Sequence, residues 1–382
     1  MTTAYRADHV GSLLRPPEVL AAHAARAEAR LAPEQVREVE DRAILAALAL
    51  QREVGLDVYS DGEYRRSSWA GEFAAAVDGF VPAEPPLPFH WRMPDGRPAQ
   101  RGAPGSSDAL DAAAAQRRGR VIGERLRQRR RLTAAESAFL RQHAAGPFKI
   151  TLPAASYVVA RGFKPGFTTA AYPTRADLVA DVVAIVRAEV AALVAEGVPY
   201  VQLDNPHYPD YIGERREQWR TIGIDPDAAL RQDVEADNAC LAGLDRQRVT
   251  LAMHVCRGNS RSAWHSEGGY EAIAEQVFGG LAVDRFLLEY DTGRAGGFEP
   301  LRFVPKGKTV VLGLVTTKQG ALESQDALLR RIEEASRYIP VEHLALSPQC
   351  GFASVQEGNL LSWDDQRRKL ELVVDTARKV WG

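Results

Sequence analysis

Only three cysteines occur in 382 residues, a small and odd number that argues against a disulfide-built scaffold and for thiols kept reduced. No uncharged apolar stretch reaches the roughly 18 residues needed to cross a bilayer, and Met1–Arg6 carries no basic segment followed by an apolar run. The expected setting is therefore the cytoplasm. An excess of charge of one sign is also lacking: 48 basic against 50 acidic side chains give a formal net charge of −2, with a pI near 6.5. That balance argues against a chain whose main task is to coat nucleic acid or an anionic membrane. Lysine is scarce, so nearly every basic residue is arginine, and no chemistry follows from that alone. Finally, no G-x-G-x-x-G turn follows the first strand candidate, which counts against an open dinucleotide-binding sheet.

What is present is a hydrophobic content of 45%, enough for a large core, and the pattern predicts one domain over residues 1–382. Asp8–Leu14 reads as a first strand, stopped by Arg15, Pro16 and Pro17. Pro33–Val54 reads as a long helix closed by Gly55, and Asp57–Glu63 as a second strand with an acidic end. Between Gly79 and Pro147 seven prolines break the pattern and predict an insertion after the second strand. Within it, Phe89-His90-Trp91 is expected to form half of a hairpin and Gly102–Ser107 a mobile loop. Arg117–Arg131 holds eight arginines in fifteen residues. RNA or phosphate binding is one reading of that run, but no aromatics interleave it. A solvated or subunit-facing surface, the latter implying a homo-oligomer, is preferred. Thr133-Ala134-Ala135-Glu136 has the form of a capping box for a helix ending near Gly146.

A regular alternation follows. Strands are predicted at 148–153, 200–204, 248–256, 285–291, 309–317 and 344–349, separated by helices or long connections. Near-continuous apolar strands alternating with helices imply a parallel sheet with a covered outer face. Eight such units are the count of an α/β fold of the (β/α)8 TIM-barrel class, whose active sites lie at the C-terminal strand ends.

Those strand ends carry the chemistry. His254 and Cys256 are two residues apart, which in a strand puts both side chains on one face about 6.6 Å apart. With Glu289 and Cys350 at matching strand ends they form a candidate four-ligand site for zinc. The third cysteine, Cys240, falls in a helical pattern and reads as small hydrophobic filling. Two thiolates and a carboxylate bring a charge of about −3 against the +2 of the ion, a poor set for activating water. If Glu289 steps aside, a substrate thiol can bind, ionise at neutral pH and remain nucleophilic, which favours alkylation of sulfur over hydrolysis. Lys318 and Arg257 are candidates to meet an anionic group, and His207 and Tyr208 to shape a substrate pocket.

Seven motifs, in order, carry a resemblance: Asp8–Pro16, Asp61–Arg66, Gln202–Pro206, His254–Asn259, Glu289–Asp291, Gly313–Lys318 and Ser347–Gly351. Together they resemble the C-terminal catalytic barrel of cobalamin-independent methionine synthase and its short single-barrel relatives. The resemblance implies a (β/α)8 barrel, zinc on His254, Cys256, Glu289 and Cys350, and methyl transfer to homocysteine. It also implies that Gly11 and Ser12 hold the amino acid's carboxylate while Glu63 and Asp204 pair with its ammonium. The family's second barrel, the histidine of its seventh strand region and the tryptophan near Thr151–Ala155 have no counterpart here. A methylcorrinoid protein thereby gains on methyltetrahydrofolate as donor. Gly313–Lys318 also resembles the version in epoxyalkane coenzyme M transferases, so another thiol or electrophile, or carbon–sulfur cleavage, is an alternative. A non-catalytic barrel with structural zinc is a third reading. A structural site generally has closely spaced ligand pairs, whereas these ligands come from three distant strands.

Overall fold

The computed structural model describes residues 5–83, 89–99 and 120–382. Six strands form a parallel sheet in sequence order: β3 (Lys149–Pro153), β4 (Tyr200–Asp204), β5 (Thr250–Val255), β6 (Arg285–Glu289), β7 (Thr309–Val315) and β8 (Leu344–Pro348). They follow an antiparallel pair, β1 (Val77–Pro82) and β2 (Arg120–Gln128), that lies outside the sheet.

The other two barrel strands are present as extended segments with few ladder bonds. Asp8 N–H donates to Leu346 O at 2.9 Å and Leu346 N–H to Arg6 O at 2.8 Å, which adds the first segment to β8. Tyr59 and β3 are joined by Tyr59 N–H to Pro147 O at 2.9 Å and Lys149 N–H to Tyr59 O at 2.8 Å. Asp57 N–H donates to Ala7 O at 3.1 Å, so the two segments meet and the eight-stranded ring closes. Short strands at the seam explain why the second predicted strand, 57–63, shows only one bridge residue, Tyr59.

Side-chain alternation determines what faces the lumen. Val10, Val58, Tyr200, Ala252, Leu287, Val311 and Ala345 meet there as one buried apolar layer, contributed by seven of the eight strands. Two residues further along β4 and β5 stand Gln202 and His254, and two further again Asp204 and Cys256. Outside the ring, helices supply the covering face. Arg175–Ala195 buries Leu178, Val182, Ile185, Val186, Val190 and Leu193, and it starts with a complete capping box between Thr174 and Asp177. No helix among the described residues is long and apolar enough to cross a membrane.

The insertion differs from its prediction in instructive ways. β1 and β2 pair across some forty residues of sequence, and the arginine-rich run supplies strand β2 and, just past its end, three cations that face local acids. Arg129 Nε lies 2.9 Å from Asp78, Arg130 2.8 Å from Glu72 and Arg131 2.9 Å from Glu189. Residues 117–119 of that run, and the loop predicted at Gly102–Ser107, lie outside the described residues. The hairpin forms over Trp91–Ala99, so only Trp91 of the predicted Phe89–Trp91 arm belongs to it: Met93 N–H donates to Arg97 O at 2.8 Å and Ala99 N–H to Trp91 O at 2.9 Å. Its Arg92 exchanges two backbone hydrogen bonds with Trp264, so the insertion is sewn to the loop that follows β5. The helix predicted from Thr133 exists as Ala134–His143, but the capping box does not. Thr133 Oγ1 donates to Glu189 at 2.7 Å, and Glu136 is buried against Arg66.

Candidate metal centre

His254 is the fifth residue of β5, and Cys256 lies one residue past its end. Cys350 lies two residues past β8, on the far side of the ring opening. One nitrogen of His254 and the two sulfurs come within 4.8 Å of one another, all three side chains buried. The sulfurs are 3.4 Å apart, and Gly258 N–H donates to Cys256 Sγ at 3.2 Å.

The ring orientation of His254 is fixed from behind. Its Nδ1 lies 2.9 Å from Asp204 Oδ1, the last residue of β4 and the register partner of His254. That leaves Nε2, which is buried and has no hydrogen-bond partner, as the coordinating nitrogen. A carboxylate that holds one ring nitrogen fixes the orientation of the imidazole and raises its basicity, as is usual behind metal-ligating histidines.

Charge agrees with this geometry. Hydrogen bonding with Cys256 pulls the Cys350 thiol well below its ordinary range despite burial, helped by His254 and Lys318, while Cys256 moves up. The pair thus shares one proton. Burial opposes a charged His254, but Asp204 and Cys350 raise its pKa to about 10. A thiolate–imidazolium cluster of this kind exchanges protons for a soft cation, so the donor set fits zinc.

Glu289, the fourth predicted ligand, ends β6 fully buried, but its oxygens are engaged elsewhere. Oε2 accepts from Arg257 N–H at 2.8 Å and Oε1 from Arg294 at 2.7 Å. Burial works against its charge, yet Lys318, Arg294 and the Arg257 N–H hold its pKa down at about 2. It does not join the three-donor cluster in this structure. Lys318 Nζ donates to Gly258 O at 2.9 Å, within the loop that follows Cys256.

A second group of predicted residues gathers beside the cluster. Glu63 is buried in a left-handed turn (φ 59°), an unfavourable conformation for a non-glycine residue. Thr151 Oγ1 donates to its Oε1 at 2.7 Å, whereas Oε2 is buried and unpaired. Burial, with Asp204 and Asp61 nearby and Arg66 opposing, lifts its pKa to about 7. Gly11 lies against it, since a β-carbon at residue 11 would stand 3.2 Å from Glu63 Oε1 and 3.0 Å from Thr151 Cγ2. Ser12 packs against the cysteine loop: its carbonyl accepts from Phe352 N–H at 2.9 Å, and its Oγ would be only 1.9 Å from a β-carbon on Gly351. A side chain at 351 would therefore force the Ser12 hydroxyl to turn away. Thr151, Arg66 and Arg294 were not singled out from sequence. The first could have been found by its position, two residues beyond Lys149 on one face of β3.

His207 and Tyr208 are placed differently. The His207 nitrogens lie 3.2 Å from Asp210 and 3.1 Å from Asp233, and Tyr208 OH donates to Asp237 at 2.7 Å. Their polar atoms are tied to acids of helix Pro226–Leu241 and its approach, which makes them supports of the β4 loop. Burial opposes protonation of His207, but the two carboxylates raise its pKa above the ordinary 6.5. Its stabilising contribution is thus complete below about pH 6.5 and fades as pH climbs through the raised value. Asp210 and Asp233 are held below their ordinary range by partners that outweigh burial, so their contribution fades below about pH 4. His207→Gln should cost about 1.5–3 kcal/mol near pH 5–6 and less in alkali. Urea midpoints across pH check this, and an equal loss at every pH would exclude a charged His207.

Comparison with known proteins follows the same lines. Residues 5–85 and 164–379 match the family described as cobalamin-independent synthase, catalytic domain. YxjH of Bacillus subtilis is 36% identical, covering 99% of this chain and 95% of the relative. A Pyrococcus abyssi methionine synthase is 24% identical, over 90% of this chain and 84% of its own. Among solved structures, a candidate vitamin-B12-independent methionine synthase from Listeria monocytogenes superposes with a TM-score of 0.74 at 26% identity, covering 100% of this chain and 99% of that one.

Proposed function

Because the chain belongs to the cobalamin-independent synthase catalytic-domain family, we propose that it is a zinc-dependent methyltransferase that alkylates the thiol of homocysteine to give methionine. One observation supports this most: a soft donor cluster, His254, Cys256 and Cys350, shares Asp204 with a second, acidic pocket around Glu63. The first suits a sulfur and the second an ammonium, and homocysteine carries both.

Zinc on this set would lower the pKa of an incoming thiol so that it ionises near neutral pH. The protein's own part is placement. Cys256, Cys350 and His254 would hold the ion, while Arg294 and the Arg257 N–H keep the Glu289 carboxylate engaged, which would leave room for a substrate thiol. The unpaired Glu63 Oε2 and the free oxygen of Asp204 receive the ammonium, with Gly11 and Ser12 beside them for the carboxylate. At the end of β7, Thr316, Thr317 and Lys318 all have partners within the protein and no histidine is present. A donor whose leaving group needs no proton, such as a methylcorrinoid protein, suits that end of the site better than methyltetrahydrofolate. The Glu63–Asp204 pair also favours an amino-thiol over a sulfonate thiol of the coenzyme M kind.

Zinc-loaded protein given homocysteine and methylcobalamin should form methionine. With a Glu63 pKa of about 7, the carboxylate is the major form only above that pH. kcat/KM for homocysteine should therefore rise about tenfold per unit below pH 7 and then level. A thiol without an amino group should lack this dependence, and Glu63→Gln should flatten it. No methionine from homocysteine with methylcobalamin or methyltetrahydrofolate, together with turnover of an amine-free thiol, would overturn the assignment.

A further inference from the structure

Asp204 has support of its own. Behind it a line of buried polar side chains runs through the barrel lumen. Arg285 and Tyr200 reach Asp8 at 3.5 and 3.0 Å, Asp8 pairs with Lys149 at 2.6 Å, and Lys149 Nζ donates to Gln202 Oε1 at 2.9 Å. Gln202 Nε2 then donates to Val10 O at 2.7 Å and to Asp204 Oδ1 at 2.8 Å. Gln202 is fully buried.

The chemistry of each partner admits one arrangement. Lys149 offers only donors, so the amide oxygen of Gln202 has to face it, and both amide hydrogens then point at acceptors, Val10 O and Asp204. A flipped amide would oppose Nε2 to an ammonium and Oε1 to a carboxylate. Asp204 Oδ1 thus takes one hydrogen bond from Gln202 and one from His254 Nδ1. With the Nδ1 proton held toward Asp204, Nε2 is the nitrogen left to the cation, and it would offer its lone pair once its own proton is exchanged for the ion.

We propose that Gln202 is a positioning residue of the metal centre: it anchors the Asp204 carboxylate that sets the tautomer and angle of His254. The inference rests on the metal site proposed above. A residue at 202 that lacks a donor leaves Asp204 free to turn, and the imidazole turns with it.

Gln202→Glu keeps an acceptor for Lys149 and removes the donors to Asp204 and Val10, so the salt-bridged core is retained. Gln202→Met removes both ends at similar volume, and Asp204→Asn serves as the direct comparison. Two readouts are independent of turnover: zinc affinity by chelator competition, and solvent exchange of the imidazole N–H proton of His254 in cobalt-substituted protein. The Glu and Met variants should melt as folded proteins, bind zinc about tenfold more weakly and exchange that proton faster. Unchanged affinity and exchange in a folded variant would overturn the role of Gln202 while leaving the metal site intact. Failure of the unmodified protein to bind zinc or cobalt would overturn both.

Discussion

Cys350→Ser is expected to lower zinc affinity by two to three orders of magnitude and to abolish methyl transfer, with the barrel still folded. The magnitude follows from dividing the about 10–16 kcal/mol of a structural zinc site among its four ligands, or roughly 2.5–4 kcal/mol each. A serine hydroxyl stays protonated at neutral pH, so the anionic donor is lost. The substitution is nearly isosteric, and the surrounding Gly351 and Ser354 contacts persist. Cys240→Ser gives the control, since Cys240 is buried in helix Pro226–Leu241 with its thiol directed to Ala236 O at 3.4 Å. Its loss should leave metal content unchanged. Zinc measured after gel filtration against a chelator decides the matter, and full activity in metal-poor Cys350→Ser protein would rule out the mechanism.

The second large effect is on stability. Lys149→Met should cost about 3–5 kcal/mol, because it leaves Asp8 as a buried carboxylate with its ammonium partner removed. Both side chains are fully buried at a separation of 2.6 Å, and the remaining cation, Arg285, is 3.5 Å from the other carboxylate oxygen. Removing the charge as well, in Lys149→Met with Asp8→Asn, should recover a large part of the loss. Denaturant unfolding of the single and double variants checks it. If the double variant is no better than the single one, the cost lies in packing around Tyr200 and His9 and not in an unpaired charge.

The sequence showed the six central strands because each is a short apolar run between helical patterns, and a period of two places His254 and Cys256 together without tertiary information. Cys350 was legible because it follows an equivalent run. Other features depend on contacts that no local pattern encodes. Helix Pro17–Ala27 was hidden because Pro16 and Pro17 read as a stop, whereas Pro17 is the first helical residue, where a missing N–H costs nothing. The β1–β2 pairing joins residues such as Val77 and Gln128, and the charges of β2 mask its alternation. Thr133 has the spelling of a cap, but Glu189, 56 residues away, offers its hydroxyl a buried carboxylate. Glu289 stands at the predicted place on β6, while Arg294 and the Arg257 backbone determine where its oxygens point.

The two glycines that border the acidic pocket carry one more implication. Gly11 and Gly351 are positions where a single added methyl group would press on Glu63, Thr151 or Ser12. The width of this pocket is therefore written in the main chain, and widening it for a bulkier ligand calls for trimming Thr151 or Ser12, since the glycines have no atoms left to give up.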